Sequence, residues 1–359
     1  MAVRVRVRNG QQIIVPIRFT RAVTGAPSPT APHIDDRGFA MGVRPGTWGS
    51  STARGAMCSL AAGDRIRVKV LREDIDAGTP LFVTSTKPSV VAVSAPAHGS
   101  PLPGDGIFEI EGLVDRANDP VAIEVHLGSA DGPVIGELEP HIFQLRTLRV
   151  RVHLVTINGV STTRTAQSMV DTFRQINEIW RPAGIVFEYD PALVRTPALN
   201  GFAVAGQMTT NISGGNWNEF STIINTNPDN FRINLYCVRD ANEVHGLTFD
   251  NRTARPNGYG IVLADSGTAN SNAHELCHYL DNPHHSWEDA AQARNRADIW
   301  ARRRLLWSPD PWDPEALAHR NDVGYGNTRR GALITVKEMA GDPWDGELAR
   351  ARRRSLNPY

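Results

Sequence analysis

Three residues carry types and spacing that can do chemistry: His274, Glu275 and His278. They lie in the run Ala273-His274-Glu275-Leu276-Cys277-His278-Tyr279-Leu280-Asp281-Asn282-Pro283-His284-His285. On a helix, residues four apart lie on one face a turn on, so the two imidazoles can aim at one metal ion with the carboxylate beside them. Histidine is the commonest zinc ligand, and a catalytic zinc takes three protein ligands and keeps one position open. His284 is the nearest third donor. A zinc held there would lower the pKa of a water and polarise a carbonyl, and Glu275 stands where a base must take the proton. The bland reading is a surface helix with stray histidines. At this histidine content a chance HExxH is expected on the order of once in a hundred such chains, and a histidine in register after it is rarer still.

A third ligand six residues after His278 requires the helix to end and the chain to turn back. Asp281-Asn282-Pro283 suits that, because Asp and Asn tolerate left-handed backbone and a proline disfavours helix at the residue before it. Leu276 and Cys277 fall on other faces of the helix, where Cys277 reads as a small core residue.

The stretch HELCHYLDNPH resembles the signature HExxHxxGxxH of the metzincin clan of zinc metalloendopeptidases, with Asp281 where that family has glycine. The resemblance covers about residues 146 to 285. It implies that His274, His278 and His284 bind Zn2+, that Glu275 is the general base, and that a protein or peptide is the substrate. It also implies a methionine-containing turn under the metal. Met339 is the only methionine after the motif, and Leu306 in Leu305-Leu306-Trp307 is an apolar alternative. Such peptidases lay an extended substrate along the edge strand above the metal. Gly258 to Ala264, the last strand before the motif, is the candidate for that edge.

Other ligand plans stay open. A glutamate-type third ligand from a following helix is Glu288, with Asp289 or Asp298 as alternatives. An aspartate-type plan uses Asp322, in Asp322-Val323-Gly324-Tyr325-Gly326, and His285 is one residue out of register with His284. A tetrahedral oxyanion gains most from a donor fixed before reaction, which points to Tyr325, with Tyr259 and Tyr279 as rivals. A packed aromatic is the alternative reading of each.

The elements that must position these residues follow from periodicity. Leu148 to Ile157 is a strand and Asn158-Gly159 a turn, with an N-cap at Ser161-Thr162-Thr163. Met169, Val170, Phe173, Ile176, Ile179 and Trp180 recur at helical spacing until Pro182-Ala183-Gly184 stops the helix. Ile185 to Tyr189 returns as a parallel strand, and Phe231 to Val238 can add a third. Pro197 to Asn230, rich in Asn, Gly, Thr and Ser, reads as an irregular segment in which Asn216, Trp217 and Asn218 are loop residues.

Residues 1 to about 145 read as β-structure, with period-two alternation at Val3 to Val7 and Ile66 to Val70. Further strand-like runs are Ile13 to Phe19, Pro80 to Thr84, Val90 to Val93, Ile107 to Ile110 and Val121 to Leu127. Thr24 to Ala56 is a Gly/Pro/Ser-rich loop, and its His33, Asp35 and Asp36 read as loop polarity.

The chain has 359 residues, 41% of them hydrophobic, enough for two ordinary cores. With 38 basic and 38 acidic residues it has no net charge to draw it to nucleic acid or membrane. Only Lys69, Lys87 and Lys337 are lysines, an arginine skew of the kind GC-rich bacterial genomes produce. Cys58, Cys237 and Cys277 offer no disulfide framework, and the N-terminus lacks the apolar core of a secretory signal. The expectation is cytoplasmic synthesis, with export by a non-classical route as for a secreted effector. A short basic helix at Glu347 to Ser355 reads as a solvated terminus.

The expected fold class is α+β: a metzincin-like zincin catalytic domain at 146–359, with a twisted, mostly parallel sheet and the active-site helix. An all-β, immunoglobulin-like sandwich at 1–145 precedes it and is the candidate binder of a protein partner. Two rival functions stand: a non-peptidase zinc hydrolase of the cell-wall amidase type, and a binding protein whose zinc site is structural or inactive.

Overall fold

The structure is a computed structural model that describes residues 56–72, 75–115, 121–209, 218–242, 244–250 and 259–280, with the short segments 6–8, 11–13, 18–21 and 39–40 and Ser355. It is a mixed α and β molecule with several sheets and few helices among the described residues. The chain divides into two compact units. One takes in the described residues up to Leu145 with Arg181–Gly184; the other takes in Arg146–Trp180 and those from Ile185 onward.

The first unit holds β1 (Arg6–Arg8), β2 (Gln11–Ile13), β3 (Arg18–Arg21), β4 (Phe39–Ala40), β5 (Ala56–Ala61), β6 (Arg65–Leu71), β7 (Leu81–Ser85), β8 (Val91–Ala95), β9 (Ile107–Gly112), β10 (Ile123–Leu127) and β11 (Val134–Phe143). Apart from the β1-β2 pair they form a sheet ordered β4-β5-β11-β10-β7 and another ordered β3-β6-β9-β8. Alternate residues of β7 and β9 are buried, as period-two strands require. Leu60, Leu81, Val83, Ile123 and Leu138 of the five-stranded sheet and Val68, Val91, Phe108 and Ile110 of the other join one apolar cluster.

Two strands here carry no alternation legible in the sequence. β5, AMCSLA, has apolar residues on both faces and a single polar one, Ser59, and it pairs in parallel with β11. β11, VIGELEPHIF, hides its pattern behind Gly136, two glutamates and Pro140. Pro140 lies two residues past Leu138, the last residue paired with β10, so it interrupts none of that ladder.

The second unit holds β12 (Arg146–Leu154), β13 (Thr156–Ile157), β14 (Val160–Ser161), α1 (Ala166–Trp180), β15 (Ile185–Tyr189), β16 (Ala198–Leu199), α2 (Asn218–Ile224), β17 (Ile233–Val238), β18 (Gly246–Asp250), β19 (Tyr259–Ala264) and α3 (Ala269–Tyr279). Its main sheet is ordered β15-β12-β17-β19-β18; the first four strands are parallel and β18 runs antiparallel to β19 at the edge.

Helix α1 begins at Thr165 rather than at residues 161–163. Thr165 Oγ1 accepts the Ser168 N–H at 3.0 Å, and Ser168 Oγ accepts the Thr165 N–H at 2.9 Å, a reciprocal cap. Met169, Phe173, Ile176, Ile179 and Trp180 are buried, each contributing about 1.5–3 kcal/mol in the order of magnitude of a buried apolar side chain. Val170, on the flank of that stripe, stays exposed. Gly184, at φ 66°, takes the left-handed conformation that turns the chain into β15.

The segment expected to be irregular contains α2, which buries Phe220, Ile223 and Ile224 against Tyr236 and Val238 of β17 and Val262 and Ala264 of β19. The alternate residues Leu235, Cys237, Ile261 and Leu263 are fully buried on the opposite face, the side of α1 and α3.

Candidate metal and catalytic site

Helix α3 starts at Thr268, whose hydroxyl accepts the Ser271 N–H at 3.3 Å while Ser271 Oγ accepts the Thr268 N–H at 3.4 Å. A cap of this kind contributes about 1 kcal/mol to a helix. The turn from β19 into α3 is clamped by Arg164, whose Nη2 donates to the carbonyls of Ala264 at 2.8 Å and Gly267 at 2.6 Å. Asp265 beside it accepts the Thr163 N–H at 2.7 Å and the Thr163 hydroxyl at 2.6 Å. These bonds fix where α3 leaves the sheet, and with it the direction of the motif two turns on.

Ala273, Leu276, Cys277 and Leu280 are all fully buried, so one side of α3 is packed. With 3.6 residues per turn, His274, Glu275 and His278 occupy the opposite side. Cys277 is thus a buried residue of the packing face, as its position suggested.

His274 and His278 meet with Nε2 3.0 Å from Nε2, ring centroids 4.6 Å apart and planes at 87°. Two imidazoles on a tetrahedral zinc, at about 2.0–2.1 Å each, have nitrogens roughly 3.3 Å apart. The pair is therefore close to the separation a shared metal ion requires, and the donor set suits zinc. Among the described residues no group of three or more His, Cys, Asp or Glu side chains gathers as a metal site. His284, His285, Glu288, Asp289, Asp298, Asp322 and Tyr325 lie outside the described residues, as do Asp281, Leu306 and Met339. Of the other tyrosines, Tyr279 is 5% exposed on α3 and Tyr259 opens β19.

Glu275 is buried at 7% exposure and is met by the edge strand. Thr248 Oγ1 lies 2.7 Å from Glu275 Oε2 and 3.0 Å from the Glu275 carbonyl. One hydroxyl proton serves one acceptor at a time, and the carboxylate is both closer and the stronger acceptor. Two residues earlier, a Cβ on Gly246 would come 2.6 Å from Glu275 Cγ. Burial pushes the Glu275 carboxyl up to about 7, against the opposing pull of the Thr248 hydroxyl and backbone. A cation on the neighbouring imidazoles acts in the opposite sense and favours the carboxylate.

Two site residues, Gly246 and Thr248, were not anticipated, and the edge strand was misplaced. Residues 259–264 are inner strand β19, between β17 and β18, and the edge is β18. The signal available was Leu247 and Phe249 alternating about Thr248 in a five-residue strand.

No family model matches this chain, and no curated protein matches it either. Among the described residues no helix is long and apolar enough to cross a membrane.

Proposed function

We propose that the protein is a zinc-dependent metalloendopeptidase of the metzincin type, with His274 and His278 as two zinc ligands, His284 as the third and Glu275 as general base. The observation that carries this reading is the convergence of the two imidazole Nε2 atoms at 3.0 Å on the helix face that also presents Glu275. The parallel sheet with an antiparallel edge strand beside the motif helix supports the same reading. An immunoglobulin-like sandwich for the first unit is supported by two sheets sharing one apolar cluster, and a protein partner is the role we propose for it.

When bound, zinc supplies Lewis acidity, polarising the scissile carbonyl and easing deprotonation of the attacking water. The rest is the work of the chain. Glu275 takes the water proton at Oε1, since Oε2 is engaged by Thr248, and passes it to the leaving nitrogen. Tyr325 stabilises the oxyanion.

The test is metal analysis of the purified protein beside His278→Ala, His284→Ala, Glu288→Ala and Asp322→Ala, with unfolded protein and peptidoglycan offered as substrates in parallel. The expected result is about one zinc per chain, cleavage of protein only, and at least a tenfold loss of zinc affinity in the two histidine variants alone. Retention of zinc by His284→Ala with loss in Glu288→Ala or Asp322→Ala would move the protein to another ligand plan. Hydrolysis of peptidoglycan in place of protein would overturn the peptidase reading.

A further inference from the structure

We infer that the edge strand β18 positions the general base, with Thr248 holding the Glu275 carboxylate in the orientation it needs and Gly246 leaving the space for it. The inference rests on the peptidase reading above. Two independent contacts carry it. Thr248 Oγ1 stands 2.7 Å from Glu275 Oε2, and the ideal Cβ of Gly246 falls 2.6 Å from Glu275 Cγ and 3.2 Å from Cδ.

The spacing of the two residues has a direct cause. Successive residues of a strand face opposite sides of the sheet, so Gly246 and Thr248 present the same face. Their register against β19 is fixed by the pairs Gly246↔Leu263 and Thr248↔Ile261, where Leu263 and Ile261 are fully buried. A slip of one residue would bring Leu247 to the carboxylate, which offers no donor and no room. The ladder to β19 therefore holds both residues on the α3 face, where the base is.

A glutamate side chain on a helix has three rotatable bonds, and a base that turns away from the water by about 1 Å loses on the order of a hundredfold in rate. The Thr248 hydroxyl on Oε2, with the Thr248 backbone beside it, removes most of that freedom. It also distinguishes the oxygens: Oε2 is taken by Thr248, and Oε1, 3.3 Å from the ideal Cβ of Gly246, is the one left for the substrate water. The Thr248 hydroxyl is spent on the Glu275 carboxylate and reaches the reaction through it. Thr248 is a positioning residue that acts through Glu275.

The test compares parent, Thr248→Val and Thr248→Ser as full-length, zinc-loaded proteins, with Glu275→Ala as the reference for a lost base. Valine keeps the shape of threonine and removes the hydroxyl; serine keeps the hydroxyl. The expected result is a kcat lowered about 10- to 100-fold in Thr248→Val, with KM and zinc content unchanged and kcat restored to within about threefold in Thr248→Ser. Crystal structures of the zinc-free variants give a second readout: the Glu275 carboxylate keeps its place in Thr248→Ser and leaves it in Thr248→Val. A Thr248→Val protein that turns over at the parent rate, or whose carboxylate does not move, overturns the role of Thr248 alone. A Thr248→Ser protein as slow as Thr248→Val, or loss of zinc in Thr248→Val, shows a packing role and overturns it too. A zinc-loaded parent that cleaves no peptide, or a Glu275→Ala protein as fast as the parent, overturns the peptidase reading and this inference with it.

Discussion

Glu275 sits in a seat cut to its shape. It is buried among helix and strand, where a charged carboxylate is costly unless hydrogen-bonded or beside a cation. Thr248 supplies the one and the two imidazoles of His274 and His278 can hold the other. The absent Cβ of Gly246 is as much a part of this seat as the hydroxyl. In Gly246→Ala the new methyl would meet Glu275 Cγ at 2.6 Å, so the glutamate or the strand must move. The strand is held by β19 through five residue pairs, which leaves the glutamate to yield. The expected outcome is a kcat lower by about 10- to 100-fold, with zinc content intact, measured by single-turnover cleavage beside metal analysis. A Gly246→Ala protein at full rate would show that β18 gives way instead.

At the scale of elements, β12 and β17 bury a polar pair in the sheet. His153 of β12 is fully buried, stacked on Tyr236 with centroids 4.2 Å apart. Its Nε2 lies 3.0 Å from Asn234 Oδ1, which also accepts the Asp229 N–H, so Nε2 carries the proton and donates. Burial holds its pKa down at about 4, with Arg195 and Arg151 acting in the same sense. The unfolded chain, with histidine near 6.5, binds the proton first as pH falls. The stability that His153 contributes is therefore complete above pH 6.5 and is lost between 6.5 and about 4, to a total of about 3 kcal/mol. Urea melts from pH 7 to 4 should show this slope, and His153→Phe should flatten it in that window. An unchanged slope in the variant would assign the loss to other groups.

The same elements explain what could be read from the chain beforehand. β12, α1 and β15 were legible because each buries one face and exposes the other, which stamps a period on the sequence. β17 and β19 are buried on both faces and show as apolar runs that mark a strand but not its place in the sheet. That is why β19 could be taken for the edge. β18 is five residues long, and its two contributions to the site are a glycine and a threonine, whose meaning exists only against Glu275. α2 was hidden because only Phe220, Ile223 and Ile224 of its seven residues are buried, inside a stretch whose Asn, Thr and Ser otherwise favour loops. The motif itself was legible because i, i+4 spacing is a helix property, and α3 converts it into an Nε2 pair 3.0 Å apart.

At the scale of the molecule, the described residues of the first unit contribute strands around one apolar cluster, and those of the second contribute helices that cover a mainly parallel sheet. With 38 basic and 38 acidic residues the chain has no net charge to steer a substrate from a distance, so the proposed peptide recognition rests on contacts near the site. In the proposed chemistry at α3, Glu275 moves a proton during peptide hydrolysis and does not hold the metal. The measurement that tests this most directly is the cleavage rate of an unfolded protein by Glu275→Ala, taken with the zinc content of the same sample. The expected result is zinc at the parent level and a rate lower by about 100- to 10,000-fold, the range of a lost general base. Cleavage by Glu275→Ala at the parent rate, with zinc bound, would contradict it.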